Sequence, residues 1–315
     1  MFINPLPPSE MPDPVLRPIT LDDLEAVRLI DRDAFATYRR QHHQLTRPLL
    51  LRTLDNMQAA IERPHAGIVL EWPPGRLVGY CFTHVWGSLG WLGTLGVSPR
   101  SQGFGLGHRV ITGGLDLLRS AGCQILALET MPESGKNLAL YTRLGLEPRY
   151  LTMLCQGAVK TAPSTYFEIW SGGDELRTIA SQLIPGLDPS PAARWLLSEA
   201  GGETLIWHEQ NQPVAFAILR AAPRRLEGFQ TVLTIEAAGC LPEAAYHWPR
   251  YLSEIQVYAR TQNKSGLALP VNARQTDLLR KTLEAGYQIV HTRVRMVIGD
   301  FIGPPDAILM LTLAM

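Results

Sequence analysis

The clearest pattern in this chain is an apolar run that leads through a glycine-rich turn into a helical repeat. Leu92 to Val97 is mostly apolar, and the next ten residues hold Pro99 and three closely spaced glycines. Apolar residues then recur at helical spacing from Leu106 to Ala121, after which Gly122 is a suitable helix end. The pattern therefore predicts a strand, a glycine turn and the start of a helix.

Strand and helix patterns alternate on both sides of this turn, and a similar succession restarts after residue 160. The predicted strands span residues 15–20, 66–72, 76–86, 92–97, 124–131, 150–159, 166–170, 203–209, 213–220, 231–238, 267–271 and 288–297. The predicted helices begin after Thr20 and span residues 46–61, 106–121, 134–144, 174–183, 244–261 and 274–285. Antiparallel hairpins occur together with strand–helix units. This combination predicts an α/β fold whose sheet is mixed, with parallel and antiparallel strands as in α+β proteins, and is covered by helices.

A short segment near the end of the chain repeats one from its first half. Leu283-Glu-Ala-Gly-Tyr287 parallels Arg143-Leu-Gly-Leu146, and a predicted strand follows each of them. A repeat of long period is the signature of a duplicated unit. We therefore expect an extended arm at residues 1–13, a first domain at 14–160 and a second domain at 161–315.

The glycine turn has the chemistry of an anion site. The first amides of a helix lack partners within the helix, and the helix dipole places partial positive charge there. Glycines allow the backbone to approach a phosphate closely. The P-loop is excluded because His108 and Arg109 stand where Lys and Ser/Thr are needed, and the dinucleotide fingerprint fails because His108 and Val110 occupy its last glycine position in the two possible frames.

Two motifs carry a family resemblance. Gln102-Gly103-Phe104-Gly105-Leu106-Gly107 follows Val97-Ser98-Pro99 directly, and Ser134 to Gly145 reads Ser-Gly-Lys-Asn-Leu-Ala-Leu-Tyr-Thr-Arg-Leu-Gly. The first resembles the acyl-CoA loop of the GNAT acetyltransferase superfamily, and the second resembles the Asn-x-x-Ala-x-x-Leu-Tyr-x-x-x-Gly-Phe helix of that family. Leu140, Tyr141 and Gly145 match the helix motif, whereas Ser134, Asn137 and Leu146 depart from it. The resemblance implies two tandem GNAT-like acyl-CoA N-acyltransferase domains.

The resemblance also implies a set of residues that bind acetyl-CoA as co-substrate. The amides of the loop would hold the pyrophosphate, and the backbone of the preceding strand, in which Gly93 and Gly96 are unusual, would hold the pantetheine arm. The side chains of the second motif would bond the pantetheine or adenine end, although Ser134 is equally suited to cap its helix. The expected binding residues are Leu95, Gly96, Val97, Gln102, Gly103, Phe104, Gly105, Leu106, Gly107, Ser134 and Asn137.

The resemblance suggests Tyr141 as general acid, since a phenol with a pKa of ~10 can donate a proton to a CoA thiolate; the alternative is an aromatic that packs on its helix. Many family members carry a Glu on the strand before the loop, but Thr94 stands near that place. Glu129, near the end of the next strand, is the candidate base, and pairing with an arginine is its alternative. His84 is a second candidate.

The second half lacks the acyl-CoA loop. Ala237 to Ala245 holds one glycine instead of three, together with Pro242 and with Glu243, whose charge opposes a pyrophosphate. Thr282 stands at the position of Tyr141. We expect the second half to be a degenerate copy that supports the first.

The composition of the chain limits the classes of partner that it is expected to bind. Lys+Arg and Asp+Glu both number 29 in the 315 residues, so no excess of charge indicates a nucleic acid or a membrane surface. The four cysteines form no C-x-x-C pair, and histidines and cysteines show no metal-ligand spacing, which favours reduced thiols in a cytoplasmic protein without metal. No apolar run reaches the ~20 residues of a membrane span. We expect a monomer or a homodimer.

These observations predict an acyl-CoA-dependent N-acetyltransferase. A primary amine of a small molecule or a protein would attack acetyl-CoA directly, through a tetrahedral intermediate. The alternative is a regulatory module that senses acetyl-CoA without turnover. A purely structural GNAT fold is less consistent with the intact loop from Gln102 to Gly107.

Overall fold

The computed structural model describes residues 12–41, 48–160, 167–199, 201–222, 231–301 and 306–312, so the expected N-terminal arm lies almost wholly outside the described ranges. The chain forms two compact units. The first extends to His84 and includes Leu92–Ala121, and the second contains Val85–Trp91 and the chain from Gly122 onward. The domain boundary at residue 160 stays a prediction. No helix in the described ranges combines the length and apolar character that crossing a membrane requires.

The first unit consists of helices around a short antiparallel sheet. Its elements in chain order are β1 (Val15–Pro18), α1 (Leu24–Gln41), α2 (Leu54–Ile61), β2 (Gly67–Glu71), β3 (Leu77–Trp86), β4 (Leu89–Val97) and α3 (Leu106–Ser120). Strand β2 pairs with both β1 and β3. Strands β3 and β4 extend into the second unit at the end where a short turn joins them.

The core of the first unit forms where the apolar stripe of α1 meets α2 and the sheet. Val27 and Ile30 of α1 are buried in one cluster with Met57 of α2 and Val69 of β2. Because apolar residues recur at helical spacing, one face of α1 is hidden, and the charged residues Arg28 and Asp31 of the helix are buried as well. This packing positions α1 against the strand that leads to the glycine turn.

Two glycines bring α3 unusually close to the strands. A Cβ on Gly114 would lie 2.9 Å from Leu92 Cδ2 and 3.0 Å from Cys81 Sγ, and one on Gly113 would lie 2.8 Å from Ile68 Cδ1. Glycine costs a helix about 1 kcal/mol relative to alanine, so its presence at these two positions reflects close packing. This close packing holds the middle of α3 against the strands of the first unit.

The second unit contains the remaining elements. They are β5 (Ile125–Thr130), α4 (Gly135–Arg143), β6 (Glu147–Ala158), β7 (Glu168–Ile169), α5 (Glu175–Leu183), α6 (Ser190–Glu199), β8 (Gly202–Glu209), β9 (Gln212–Arg220), β10 (Val232–Cys240), α7 (Trp248–Thr261), β11 (Gly266–Asn272), α8 (Thr276–Glu284), β12 (Gln288–Ile298) and β13 (Ile308–Leu311). A mixed sheet with helices was the fold class predicted from the sequence, and it is confirmed.

The strands of the second unit do not follow their order in the chain. Their order in the sheet is β5-β12-β6-β11-β10-β9-β8-β7, and β13 pairs with β10. Strand β12, from the end of the chain, therefore lies between β5 and β6 and is antiparallel to both. Strand β6 in turn pairs with β11. Strand β6 of the first half and strand β12 of the second half are thus neighbours, and each also pairs with a further strand of the other half.

A buried ion pair lies at the junction of β5 and β12. Arg295 Nη2 donates to Glu129 Oε1 at 2.6 Å, and the two side chains are 2% and 0% exposed. Arg293 Nη1 lies 3.6 Å from Glu129 Oε2. Burial alone would raise the pKa of Glu129, but the charges of Arg295 and Arg293 hold it below the usual range of a glutamate.

The structure differs from the predicted elements at strand β13, which is not among the predicted strands, and at three helical segments. Helix α6 was not predicted, although Pro191 in its first turn is a typical start signal. A 3-10 helix at Pro242–His247 replaces the first turns of the helix predicted from residue 244. Helix α2 begins at Leu54, because residues 48–53 are not helical.

We predict that Glu129→Gln lowers the free energy of unfolding by about 3–5 kcal/mol, because Arg295 loses its buried partner. The stabilisation from Glu129 is present above its unfolded pKa of about 4.3 and is lost as the pH falls through the depressed folded pKa. Urea denaturation at pH 7 measures the loss. Glu147→Gln is the matched control, since Glu147 pairs with Arg149 on the surface and its loss costs about 1 kcal/mol at most. Equal losses in the two variants would contradict this account.

Candidate functional site

The end of β4 is held firmly in the first unit. The Ser98 amide donates to the Val78 carbonyl at 2.8 Å, and a 3-10 turn follows at Pro99–Ser101. The Gln102 side chain then folds back, so that its Nε2 donates to the Val97 carbonyl at 3.0 Å. These contacts fix the point at which the chain leaves the strand and enters the glycine turn.

The glycines of the turn are required by backbone conformation and not by lack of space. Gly103 has a φ of 92° and Gly105 a φ of 74°, values that side chains with a Cβ rarely adopt. A Cβ at either position would meet no atom of the described residues within 4 Å. The turn is therefore open above its backbone, and a ligand can approach it.

The backbone amides of the turn form an anion cradle. Gly105 is the N-cap of α3, and its carbonyl accepts from the amides of His108 and Arg109 at 3.1 and 3.4 Å. Within the described part of the chain, the amides of residues 103–107 have no hydrogen-bond acceptor, no side chain caps the helix, and its first turn holds no acidic residue. The unpaired amides and the helix dipole together favour a phosphate at this place.

An aromatic pair flanks the cradle. Phe104 is 48% exposed at the tip of the turn, and its ring centroid lies 5.4 Å from that of Trp72. The Trp72 indole N–H donates to the Pro12 carbonyl at 3.0 Å. This arrangement holds an apolar surface beside the free amides.

The backbone of β4 is packed tightly from behind. Leu95 and Gly96 precede Val97 in the strand, and a Cβ on Gly96 would lie 3.1 Å from the Tyr80 ring and 3.2 Å from Ala34 Cβ. Only glycine fits there without displacing α1 or β3. The three residues expected to hold a pantetheine arm therefore lie on a strand with little freedom to shift.

A buried polar network lies behind this strand, and sequence reasoning missed it. The Tyr80 hydroxyl donates to Asp31 Oδ1 at 2.6 Å, and Arg52 Nε donates to the same oxygen at 3.3 Å. No local signal connects these residues, because Tyr80 and Asp31 are 49 positions apart.

The remaining candidate residues lie on other parts of the fold. His84, the second candidate base, is buried in the first unit with its Nδ1 2.8 Å from Arg63 Nη1. Glu129, Ser134, Asn137 and Tyr141 belong to the second unit. The contacts of Glu129 with the two arginines favour the ion-pair interpretation over the role of general base.

Helix α4 carries the second motif. Tyr141 is 6% exposed, and its carbonyl accepts from the amides of Leu144 and Leu146 where the helix ends. Ser134 occupies the N-cap position, but its side chain makes no capping bond, and Asn137 is half-buried one turn later. The capping alternative for Ser134 is therefore not realised by its hydroxyl.

At the equivalent strand end in the second half, the backbone hydrogen bonds are made with another strand of the same chain. Residues 237–240 of β10 pair with residues 308–311 of β13, and the Thr312 amide continues the pairing onto the Glu236 carbonyl at 3.0 Å. The 3-10 helix that begins at Pro242 then replaces the glycine turn. In the described residues, no group of three or more His, Cys, Asp or Glu side chains forms a metal site.

Comparison with known proteins agrees with the strand–turn–helix arrangement. Residues 26–146 match the acetyltransferase (GNAT) family. A mycothiol acetyltransferase of Streptomyces coelicolor is 34% identical over 106 residues, which is 33% of this chain and 34% of the relative. The chain thus spans about a third of the length of this curated relative.

Two solved structures share the fold along nearly the whole chain. A proposed acetyltransferase from Pyrococcus horikoshii has a TM-score of 0.69 at 15% identity and covers 96% of this chain and 95% of its own. A tandem GNAT protein from the clavulanic acid biosynthesis pathway has a TM-score of 0.56 at 13% identity and covers 91% of this chain and 98% of its own. At these identities the likeness concerns the fold. Residues 26–146 are therefore similar in sequence to the acetyltransferase (GNAT) family, and nearly the whole chain shares the fold of these solved structures.

Proposed function

We propose that this chain transfers an acetyl group from acetyl-CoA to a primary amine. The observation that carries the proposal is the set of amides at residues 103–107, which lack an acceptor among the described residues and lie where the chain passes from β4 into α3. GNAT acetyltransferases use acetyl-CoA, and the family match includes this turn. The mycothiol acetyltransferase from Streptomyces coelicolor supports acetyl transfer in general. We propose a small-molecule or protein amine as the acceptor.

The residues of the first unit would bind and orient the co-substrate. The amides of residues 103–107 would hold the pyrophosphate, while Gln102 keeps the turn against the end of β4. The backbone of Leu95, Gly96 and Val97 would direct the thioester carbonyl, and its N–H groups would stabilise the oxyanion of the tetrahedral intermediate. Because β4 is tightly packed, the donors are already in position before the substrate arrives.

We assign the general acid to Tyr141. Its hydroxyl would protonate the departing thiolate, which otherwise reverses the reaction. Ser134 and Asn137 would bind the pantetheine or adenine end. Glu129 has no part in this proposal, because its carboxylate is engaged by Arg295 and Arg293 and its pKa is lowered. A sensor of acetyl-CoA would need the same loop but neither an acid nor a base, so turnover separates the two functions.

We expect Tyr141→Phe to lower kcat about 100-fold, since loss of general acid catalysis typically costs 10²–10⁴-fold, and to leave the Kd for acetyl-CoA unchanged. Release of the CoA thiol measures turnover, with a mixture of glucosamine, spermidine and glycine amide as acceptors. Tyr246→Phe, at an exposed tyrosine of the second half, is the control and should behave as wild type. An unchanged kcat would remove Tyr141 from the mechanism. Binding without any turnover in the wild type would support the sensor instead.

A pair of glycine substitutions tests the anion cradle. Gly105 and Gly75 have φ of 74° and 82°, and neither would crowd a Cβ. Alanine at either position costs about 1–2 kcal/mol of stability through the left-handed backbone. Gly105→Ala should also raise the Kd for acetyl-CoA at least tenfold by turning the amides away from the pyrophosphate, whereas Gly75→Ala should not. Calorimetric titration measures both, and equal affinities in the two variants would contradict the assignment.

A further inference from the structure

A full positive charge lies close to the amides of the glycine turn. Arg109 is the fourth residue of α3, and its amide donates to the Gly105 carbonyl at 3.4 Å. Side chains of a helix lean toward its N-terminal end, so the Arg109 guanidinium is directed back toward the turn. Because the helix dipole is also positive at this end, a cation there is unfavourable unless an anion offsets it.

One carboxylate of the chain offsets part of this charge. Asp13 Oδ1 lies 3.7 Å from Arg109 Nη2, and in the described ranges this is the one ion pair that Arg109 makes. The side chains of Asp13 and Arg109 are 96% and 49% exposed, so water screens the pair and it is easily broken. Arg109 is therefore available to a stronger anion.

An aromatic contact keeps Asp13 near Arg109. The carbonyl of Pro12, which directly precedes Asp13, accepts from the Trp72 indole N–H at 3.0 Å. The Trp72 ring in turn lies 5.4 Å from the ring of Phe104 at the tip of the glycine turn. The Asp13 carboxylate is thus held beside the start of α3 by its neighbour, without a firm bond of its own.

We propose that Arg109 recognises the 3′-phosphate of CoA and that Asp13 occupies Arg109 until the co-substrate binds. CoA carries two anionic groups, the pyrophosphate and the phosphate on the 3′-hydroxyl of its ribose. A guanidinium binds phosphate through charge-assisted hydrogen bonds, and a dianionic phosphate competes well against one exposed carboxylate. The proposal rests on the acetyl-CoA site proposed above and adds a residue that determines co-substrate specificity.

The position of Arg109 suits the second anionic group better than the first. The amides of residues 103–107 and the helix dipole already supply donors for the pyrophosphate. The 3′-phosphate lies across the ribose from the pyrophosphate, so it needs a separate donor. Arg109 begins about 6 Å further along the helix axis than Gly105 and has a long, flexible side chain, which allows it to meet this second group.

Calorimetric titration of the full chain with CoA and with 3′-dephospho-CoA isolates the contribution of this phosphate. Arg109→Gln removes the charge that binds it, and Asp13→Asn removes the competing charge. Arg119→Gln is the matched control, because Arg119 lies in the last turn of the same helix with a side chain that is 50% exposed and pairs with Asp116 at 2.8 Å.

Wild type should bind CoA at least tenfold more tightly than 3′-dephospho-CoA. Arg109→Gln should bind both ligands with the affinity that wild type has for 3′-dephospho-CoA, whereas Arg119→Gln should match wild type. Asp13→Asn should tighten CoA binding about two- to fivefold, the range expected of an exposed ion pair, and should leave 3′-dephospho-CoA binding unchanged. A variant with both substitutions should behave as Arg109→Gln, because Asp13 acts only through Arg109.

Three outcomes contradict this inference in different ways. Equal affinities of wild type for the two ligands, or a preference for CoA that Arg109→Gln retains, overturn the role of Arg109 and leave the acetyl-transfer function standing. An Asp13→Asn substitution that leaves CoA binding unchanged, or that tightens it also in the absence of Arg109, overturns the exchange of partners. Wild-type protein that binds neither ligand overturns the proposed function together with this inference.

Discussion

The second unit depends on one strand that must fit between two others. Strand β12 pairs on one side with β5 and on the other with β6. A shift of one residue along either neighbour would turn Arg295 to the opposite face and leave Glu129 buried without a partner, so the ion pair specifies the register. Because β6 continues the sheet to β11, neither sequence repeat completes its own set of strand partners.

The two repeats have a similar order of elements, but they differ in backbone hydrogen bonding at the strand end that precedes the helix. After β4, the amides of residues 103–107 find no acceptor in the part of the chain that the structure describes, and no described atom crowds the space above Gly103 and Gly105. In the second repeat, β13 takes the hydrogen bonds of residues 237–240, and a 3-10 helix with Glu243 follows. One turn thus retains the donors that an anion needs, whereas the other strand end is satisfied by the chain itself. This contrast supports a single acyl-CoA site in the first repeat.

Sequence reasoning succeeded where a few neighbouring residues decide the structure. The strand, turn and helix around Gly105 follow from local periodicity and glycine placement, and β4, α3 and the mixed sheet were all predicted. The place of β12 between β5 and β6 was not, because strand partners far apart in sequence leave no local pattern. The same holds for Glu129, whose partner Arg295 is 166 residues away, and for the pair of Tyr80 and Asp31. Side-chain pairs between residues far apart in the sequence are therefore the feature that local patterns do not reveal.

The central claim is that one turn, in the first repeat, binds acetyl-CoA. Amide hydrogen exchange with and without acetyl-CoA tests it most directly, because the exchanging groups are the proposed donors themselves. The account predicts slower exchange at residues 95–97 and 103–107 and no change at residues 238–247. Protection at residues 238–247, or none at residues 103–107, would contradict it.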